Sequence, residues 1–122
     1  IVETLINSPA DKRSIYFVGI GGIGMSALAR YFKSKKVEVS GYDKTETALT
    51  KKLVSEGIKI HYEDNIQFID RDAQLIVYTP AVPKEHSELN YYLQNDYTVV
   101  KQQPVQWLHI FYNTVAMAAM HF

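Results

Sequence analysis

The sequence predicts an α/β fold: a doubly wound parallel sheet of about five strands with helices on both faces, in three α/β/α layers. Three observations carry this. From Ser14 onward, short apolar runs alternate with segments whose apolar residues recur every three or four positions, the signatures of buried strands and amphipathic helices. Between the first run and the first such segment lies Gly19-Ile20-Gly21-Gly22-Ile23-Gly24, a glycine-rich strand-to-helix junction. A chain of 122 residues, 47% hydrophobic and 12% aromatic, is sized for one packed core.

The elements follow in order. Residues 1–13 carry Asn-Ser-Pro-Ala-Asp and no sustained period, and read as a lead-in segment. Ile15 to Val18 is the first strand, and the helix from Ile23 to Lys35 sets Ala27, Leu28, Tyr31 and Phe32 on one face. Val37 to Ser40 is the second strand, ending at Gly41-Tyr42-Asp43. Thr45 is placed to cap a helix carrying Ala48, Leu49 and Leu53, which Gly57 ends at C′. Ile58 to His61 is a third strand, and a polar link with Asp64-Asn65 leads to the apolar fourth, Leu75 to Tyr78. Thr79-Pro80-Ala81-Val82-Pro83 is a rigid turn. A helix from Glu85 to Gln94 turns Leu89, Tyr92 and Leu93 inward, Thr98 to Val100 is a fifth strand, Val105 to Phe111 a last helix and Thr114 to Ala119 a final apolar run.

Strands alternating with helices require parallel pairing through right-handed crossovers, and the expected strand order is 3-2-1-4-5. In that order the chain reverses direction between strands 1 and 4. A ligand crevice opens there, between the glycine turn and Thr79 to Pro83.

Composition excludes several functions. Thirteen basic and thirteen acidic side chains cancel and no Lys/Arg run is longer than two, so neither nucleic acid nor a membrane is an expected partner. The chain has no cysteine, which removes disulfides, thiolate zinc sites and cysteine nucleophiles. No apolar run approaches the roughly 18 residues of a membrane span, and the N-terminus has no signal-peptide pattern. The expected location is the cytoplasm.

The glycine turn has Gly-x-Gly-x-x-Gly spacing in the strand–turn–helix setting that this motif requires. Gly19 permits the tight turn, Gly21 and Gly22 omit Cβ atoms that would hold a pyrophosphate off the backbone, and Gly24 lets helix and strand pack closely. N–H groups from Gly22 to Met25, left unpaired at the helix start, attract a phosphate together with the positive end of the helix dipole. Ser26 adds a hydroxyl donor. Asp43 lies nineteen residues beyond Gly24, close to the spacing at which a carboxylate meets a ribose, and its charge makes NADP the least suited dinucleotide. The plainer roles are a purely conformational turn for the glycines and a turn or cap residue for Asp43.

Elsewhere the chemistry is sparse. His61, ending the third strand, is either a donor or acceptor at the site or a solvated loop residue. His86 and His109 have no partner at metal-ligand spacing and read as a helix-start and a helix-face residue, so no metal site is expected. Tyr91, Tyr92, Tyr97 and Trp107 lack interleaved basic residues and read as packing. No Ser-His-Asp or paired-carboxylate arrangement can be assembled, and no catalytic residue is expected.

Four stretches, FVGIGGIGMSALA, VSGYD, GIKIHYEDNI and LIVYTPAVP, together resemble the N-terminal domain of the Mur ligases of bacterial peptidoglycan synthesis. The resemblance runs from Ser14 to about Ala116. It implies a Rossmann-like domain over residues 14–112 that binds the UDP part of UDP-N-acetylmuramate, in an enzyme whose central domain binds ATP with magnesium and whose third domain helps bind the amino acid. That enzyme would join L-alanine to the lactyl carboxylate through an acyl phosphate. By the same resemblance, Gly21, Gly22, Ile23, Gly24, Met25 and Ser26 cradle the diphosphate. Asp43 lies near the uridine with His61 beside it, and Thr79, Pro80, Ala81 and Val82 close the crevice.

The family continues Val-Ala into a Gly-Thr-His-Gly-Lys-Thr loop for ATP. Here Val115-Ala116 leads into Met117-Ala118-Ala119-Met120-His121-Phe122, without that lysine or those glycines. Residues 113–122 therefore read as the start of a truncated central domain or a tail foreign to the family. On this reading the chain is inactive alone and holds no cofactor, and its partners are UDP-N-acetylmuramate and the other two domains. The residues by themselves leave two rivals open, an NAD-binding domain of a dehydrogenase or regulatory protein and a plain interaction domain. A glycine turn receives a pyrophosphate whether it joins two nucleosides or a nucleoside and a sugar.

Overall fold

The computed structural model describes residues 13–102; the lead-in up to residue 12, the expected helix at 105–111 and the run at 114–119, with Trp107, His109 and His121, lie outside the described residues. Five parallel strands, β1 (Ser14–Val18), β2 (Glu38–Tyr42), β3 (Lys59–His61), β4 (Leu75–Tyr78) and β5 (Val99–Lys101), pair in the order β3-β2-β1-β4-β5. Three helices connect them, α1 (Ile23–Ser34), α2 (Ala48–Ser55) and α3 (Ser87–Gln94). This is the order that the alternation of elements predicts.

Central β1 is buried along its whole length, and its side chains alternate between two cores. Ile15 and Phe17 pack with Leu75 and Val77 of β4, with Met25, Leu28, Ala29 and Phe32 of α1 and with Leu53 of α2. Tyr16 and Val18 pack on the opposite face with Ile76, with Tyr92 of α3 and with Ile69 and Ala73 from the β3–β4 connection. The crossovers through α1 and α2 thus cover one face and α3 covers the other. Each fully buried aliphatic or aromatic side chain contributes about 1.5–3 kcal/mol, which is why the apolar runs override weaker local preferences.

Several local expectations are corrected. Ala27 is exposed, because it lies about 200° around α1 from buried Met25, and Met25 and Ala29 complete the inward face instead. The N-cap of α2 is Thr47 rather than Thr45. Thr47 and Thr50 exchange side-chain-to-backbone hydrogen bonds as a capping box, whereas the Thr45 N–H is taken by Asp43 Oδ1 at 3.1 Å. Gly57 follows the C-cap of α2 at φ +96°, as expected. Helix α3 begins at Ser87 with His86 as its N-cap, and Leu93 is 55% exposed rather than inward. The buried arc of α3 is Glu88, Leu89 and Tyr92, and Leu93 falls about 90° from its centre.

Gly41 is where β1 and β2 approach most demandingly: an added Cβ would lie 2.6 Å from the Phe17 carbonyl oxygen and 2.9 Å from the Ile20 side chain. Gly41→Ala is expected to lower the unfolding free energy by about 1–3 kcal/mol, the usual cost of overpacking. The reading is a lower denaturant midpoint at unchanged slope, and an unchanged midpoint would contradict this account of the strand contact.

Candidate functional site

At the end of β1 the chain turns through Gly19, whose φ of +93° is one that L side chains rarely adopt. A Cβ there would also collide with the Thr79 methyl, so this position lets the loop after β4 close on the loop after β1. The turn is pinned to the end of β2. Gly19 and Ile20 both donate to the Tyr42 carbonyl, at 2.8 and 2.9 Å, and the Gly21 N–H donates to Asp43 Oδ2 at 2.7 Å. The Gly22 N–H reaches the Gly19 carbonyl at 3.5 Å.

Helix α1 then starts without a cap. Gly22 offers no side chain, no acidic residue occupies the first turn, and the Ser26 N–H bond to the Gly22 carbonyl, 2.8 Å, begins the helical ladder. The N–H groups of Ile23, Gly24 and Met25 have no acceptor among the described residues. The other two helices are provided for. Besides the Thr47 box on α2, Asp64 accepts from Ser87 N–H at 2.8 Å and Glu88 N–H at 3.0 Å, and His86 Nδ1 accepts from Leu89 N–H at 3.3 Å. The start of α1 therefore combines unpaired donors with the uncompensated positive end of a helix dipole, a ready anion site.

A cleft of about 600 Å³ separates this turn from the loop after β4. Gly19, Gly21 and Gly22 line one side; Thr79, Ala81, Val82, Pro83, Glu85 and His86 line the other; Tyr42, Asp43, Lys44 and Asp64 complete it. The far loop is fixed by Thr79 N–H to the Val18 carbonyl and Val82 N–H to the Thr79 carbonyl, both 3.1 Å. Three carboxylates and one lysine line the cleft, so its walls favour hydrogen-bond donors on a ligand, and an anionic group is accommodated best at the start of α1.

The Tyr42 ring connects the cleft to a buried polar cluster, its centroid 4.6 Å from that of His86 and 5.9 Å from that of His61. At the cluster's centre Glu88 is fully buried. Its Oε1 accepts from the Tyr16 hydroxyl at 2.5 Å, and its Oε2 from His61 Nε2 at 2.7 Å and from Asn65 N–H at 2.9 Å. Burial, followed by the charge of Glu88 and its hydrogen bond, holds the Tyr16 hydroxyl far above the usual phenol range. Burial and the neighbouring Asp70 do the same for Tyr92.

Residues 14–114 match the family described as "Mur ligase family, catalytic domain". The chain belongs to the Mur ligase family. It is similar to the UDP-N-acetylmuramate–L-alanine ligase of Flavobacterium psychrophilum, 56% identical over 96 residues that make up 75% of this chain and 21% of that protein. The namesake from Porphyromonas gingivalis is 50% identical over 98 residues, 76% of this chain and 22% of the relative. The crystal structure of UDP-N-acetylmuramate–alanine ligase from Thermotoga maritima superposes with a TM-score of 0.73 at 32% identity, covering 85% of this chain and 23% of that one. A UDP-N-acetylmuramate:L-alanyl-γ-D-glutamyl-meso-diaminopimelate ligase from Neisseria meningitides, at TM-score 0.65 and 23% identity, shares the fold. The chain spans between a fifth and three tenths of these relatives' lengths.

Of the residues that resemblance to the Mur ligase family marks, Gly21, Gly22, Asp43, Thr79, Ala81 and Val82 line one cleft. Ile23 and Gly24 bring backbone N–H groups to its glycine side. Met25 does so too, while its side chain packs in the core. The Ser26 hydroxyl is buried and donates to the Ile23 carbonyl at 2.9 Å. Pro80 is exposed and outside the lining, and the His61 side chain is engaged by Glu88 rather than lining this cleft. Sequence reasoning misses Tyr42, Lys44, Asp64, Glu85 and His86 as lining residues and Glu88 altogether. A signal for Glu88 existed in Tyr16, whose hydroxyl, placed mid-strand in an apolar run, has to find a partner on the α3 face.

Two outcomes are expected. Asp43→Asn removes one of two carboxylate acceptors, so hydrogen exchange of the Gly21 amide should accelerate about tenfold or more, the scale of a charge-assisted bond, while central Phe17 is unaffected. Equal acceleration of both would mean only global loosening. The second concerns alkaline pH. The unfolded phenol ionises near 10.0 and the folded pKa of Tyr16 and of Tyr92 is raised, so their stabilisation is complete below pH 10 and is lost as the pH climbs above it. Phenolate absorbance from these two residues should appear together with the loss of circular dichroism; full ionisation of every tyrosine before any unfolding would refute it.

Proposed function

We propose that the cleft holds the UDP moiety of UDP-N-acetylmuramate. On this reading residues 14–112 are the N-terminal, substrate-binding domain of a cytoplasmic ligase that adds L-alanine to that nucleotide sugar, with ATP, in peptidoglycan synthesis. The observation that carries this is the uncapped start of α1 facing the Thr79 to Val82 loop, in a chain of the Mur ligase family. Diphosphate oxygens would accept from the Ile23, Gly24 and Met25 N–H groups. Ribose hydroxyls and the uracil N–H would find acceptors along the Asp43 side.

The domain's work is then to bind and orient. The sequence carries no Gly-Lys-Thr phosphate loop of the kind that cradles ATP. We assign ATP, magnesium and the acyl-phosphate chemistry to the central and C-terminal domains of the whole enzyme, the partners of this one, and expect no ATP turnover from this chain alone. No helix among the described residues is long and apolar enough to cross a membrane.

The glycine turn would serve NAD equally well, and membership of the Mur ligase family is what favours the UDP sugar. Parallel amide NMR titrations with UDP, UDP-N-acetylmuramate and NADH decide between them. The UDP compounds should shift Ile23 to Ser26 and Thr79 to Val82, and saturation by NADH at lower concentration would overturn the proposal. Gly22→Val is the matched variant. A Cβ on Gly22 has no neighbour closer than 3.8 Å and its φ of −67° suits any residue, so the variant should fold, and its side chain should weaken UDP binding by about tenfold or more. Undiminished binding would remove the phosphate from the start of α1.

A further inference from the structure

We propose that His86 is a ligand-contacting residue of the cleft, donating its Nε2–H to an acceptor oxygen of the bound nucleotide. The inference rests on the nucleotide reading of the cleft and adds a side chain that neither the glycine motif nor the helix-start role of His86 supplies. Its Nδ1 accepts the Leu89 N–H at 3.3 Å. A ring nitrogen that accepts must carry its lone pair there, so the neutral imidazole has its proton on Nε2. Asp64 Oδ1 lies 3.5 Å from Nδ1 but already accepts from the Glu88 N–H, and the Nδ1 lone pair is already engaged by Leu89.

With Nδ1 turned to α3, Nε2 occupies the other edge of a ring that lines the cleft. The side chain is only 5% exposed and lies against Tyr42. Nε2 is buried without a hydrogen-bond partner, and of the buried side-chain atoms in that condition it is the one belonging to this cleft. Buried donors are nearly always paired. An orphan donor on a residue that shares its cleft with the uncapped start of α1 is the complement of an acceptor-rich ligand. The acceptor is a phosphate oxygen or a uracil carbonyl, one hydrogen-bond chemistry from two parts of the same nucleotide.

The test uses the whole 122-residue chain. Long-range proton–nitrogen NMR of the histidine rings, recorded with UDP, with pyrophosphate and with uridine, should show His86 in the Nε2–H tautomer and its Nε2 resonance moving on UDP. The pyrophosphate and uridine arms identify which oxygen accepts. His86→Asn keeps a side-chain acceptor for the Leu89 N–H but deletes the donor, and should weaken UDP binding about tenfold. If the variant does not fold, the Nε2 resonance of the unaltered protein decides. Amide shifts at Ile23 to Ser26 without movement at Nε2 would overturn the His86 assignment and leave the nucleotide reading standing. No response at either place would overturn both.

Discussion

The Glu88 carboxylate is the interaction on which the rest of the structure depends. It sits on α3, in the half of the fold that contains β4 and β5, yet its donors are Tyr16 on the central strand, His61 at the far edge and Asn65 in the connection between the halves. A doubly wound sheet holds its halves together through the ladder at β1, and Glu88 adds a second tie across one face. Such a tie is all or nothing, because a buried carboxylate with its donors in place is a strong, low-dielectric network and one deprived of them is a heavy penalty. The same two halves supply the two walls of the cleft, whose loops are themselves joined by the Thr79 N–H bond to the Val18 carbonyl.

Asp43 and Asp64, both half-buried, perform a related task. Each spends both oxygens on backbone N–H groups, Asp43 on the glycine turn and on Thr45, Asp64 on the first turn of α3. They fix the ends of elements that local sequence leaves undetermined. The consequence is a division of donors: α3 has its first-turn N–H groups answered by side chains, α2 has a side-chain cap on Thr50, and α1 has no side-chain cap at all.

The strands, their order and the glycine turn were legible because each rests on a local pattern: apolar runs, three- and four-residue spacing, and glycine at a strand-to-helix junction. What was misplaced depended on competition between local options. Thr45 and Thr47 are equally good caps by type, and only the partner of each N–H separates them. Ala27 and Leu93 are apolar residues at helical spacing from buried neighbours, and only the packed arc of each helix shows that they fall outside it. What was invisible was long-range and polar. Asp64 caps a helix that begins 23 residues later, Glu88 interrupts an apolar face, and His86 joins the cleft only because α3 starts at its rim. The chemistry of the site was ambiguous for a different reason: backbone N–H groups recognise phosphate oxygens without regard to what the phosphate is attached to.

The brevity of the outer strands has its own consequence. Among the described residues β3 and β5 form the margins of the sheet, each three residues long and each carrying an exposed lysine, Lys59 and Lys101. An open sheet margin is a template on which a foreign strand can add. Here the template offers too few consecutive backbone groups for a stable foreign pairing, and it places a positive charge where two copies would have to meet. Among the described residues, the margins of the sheet run out of length before they can template a foreign strand.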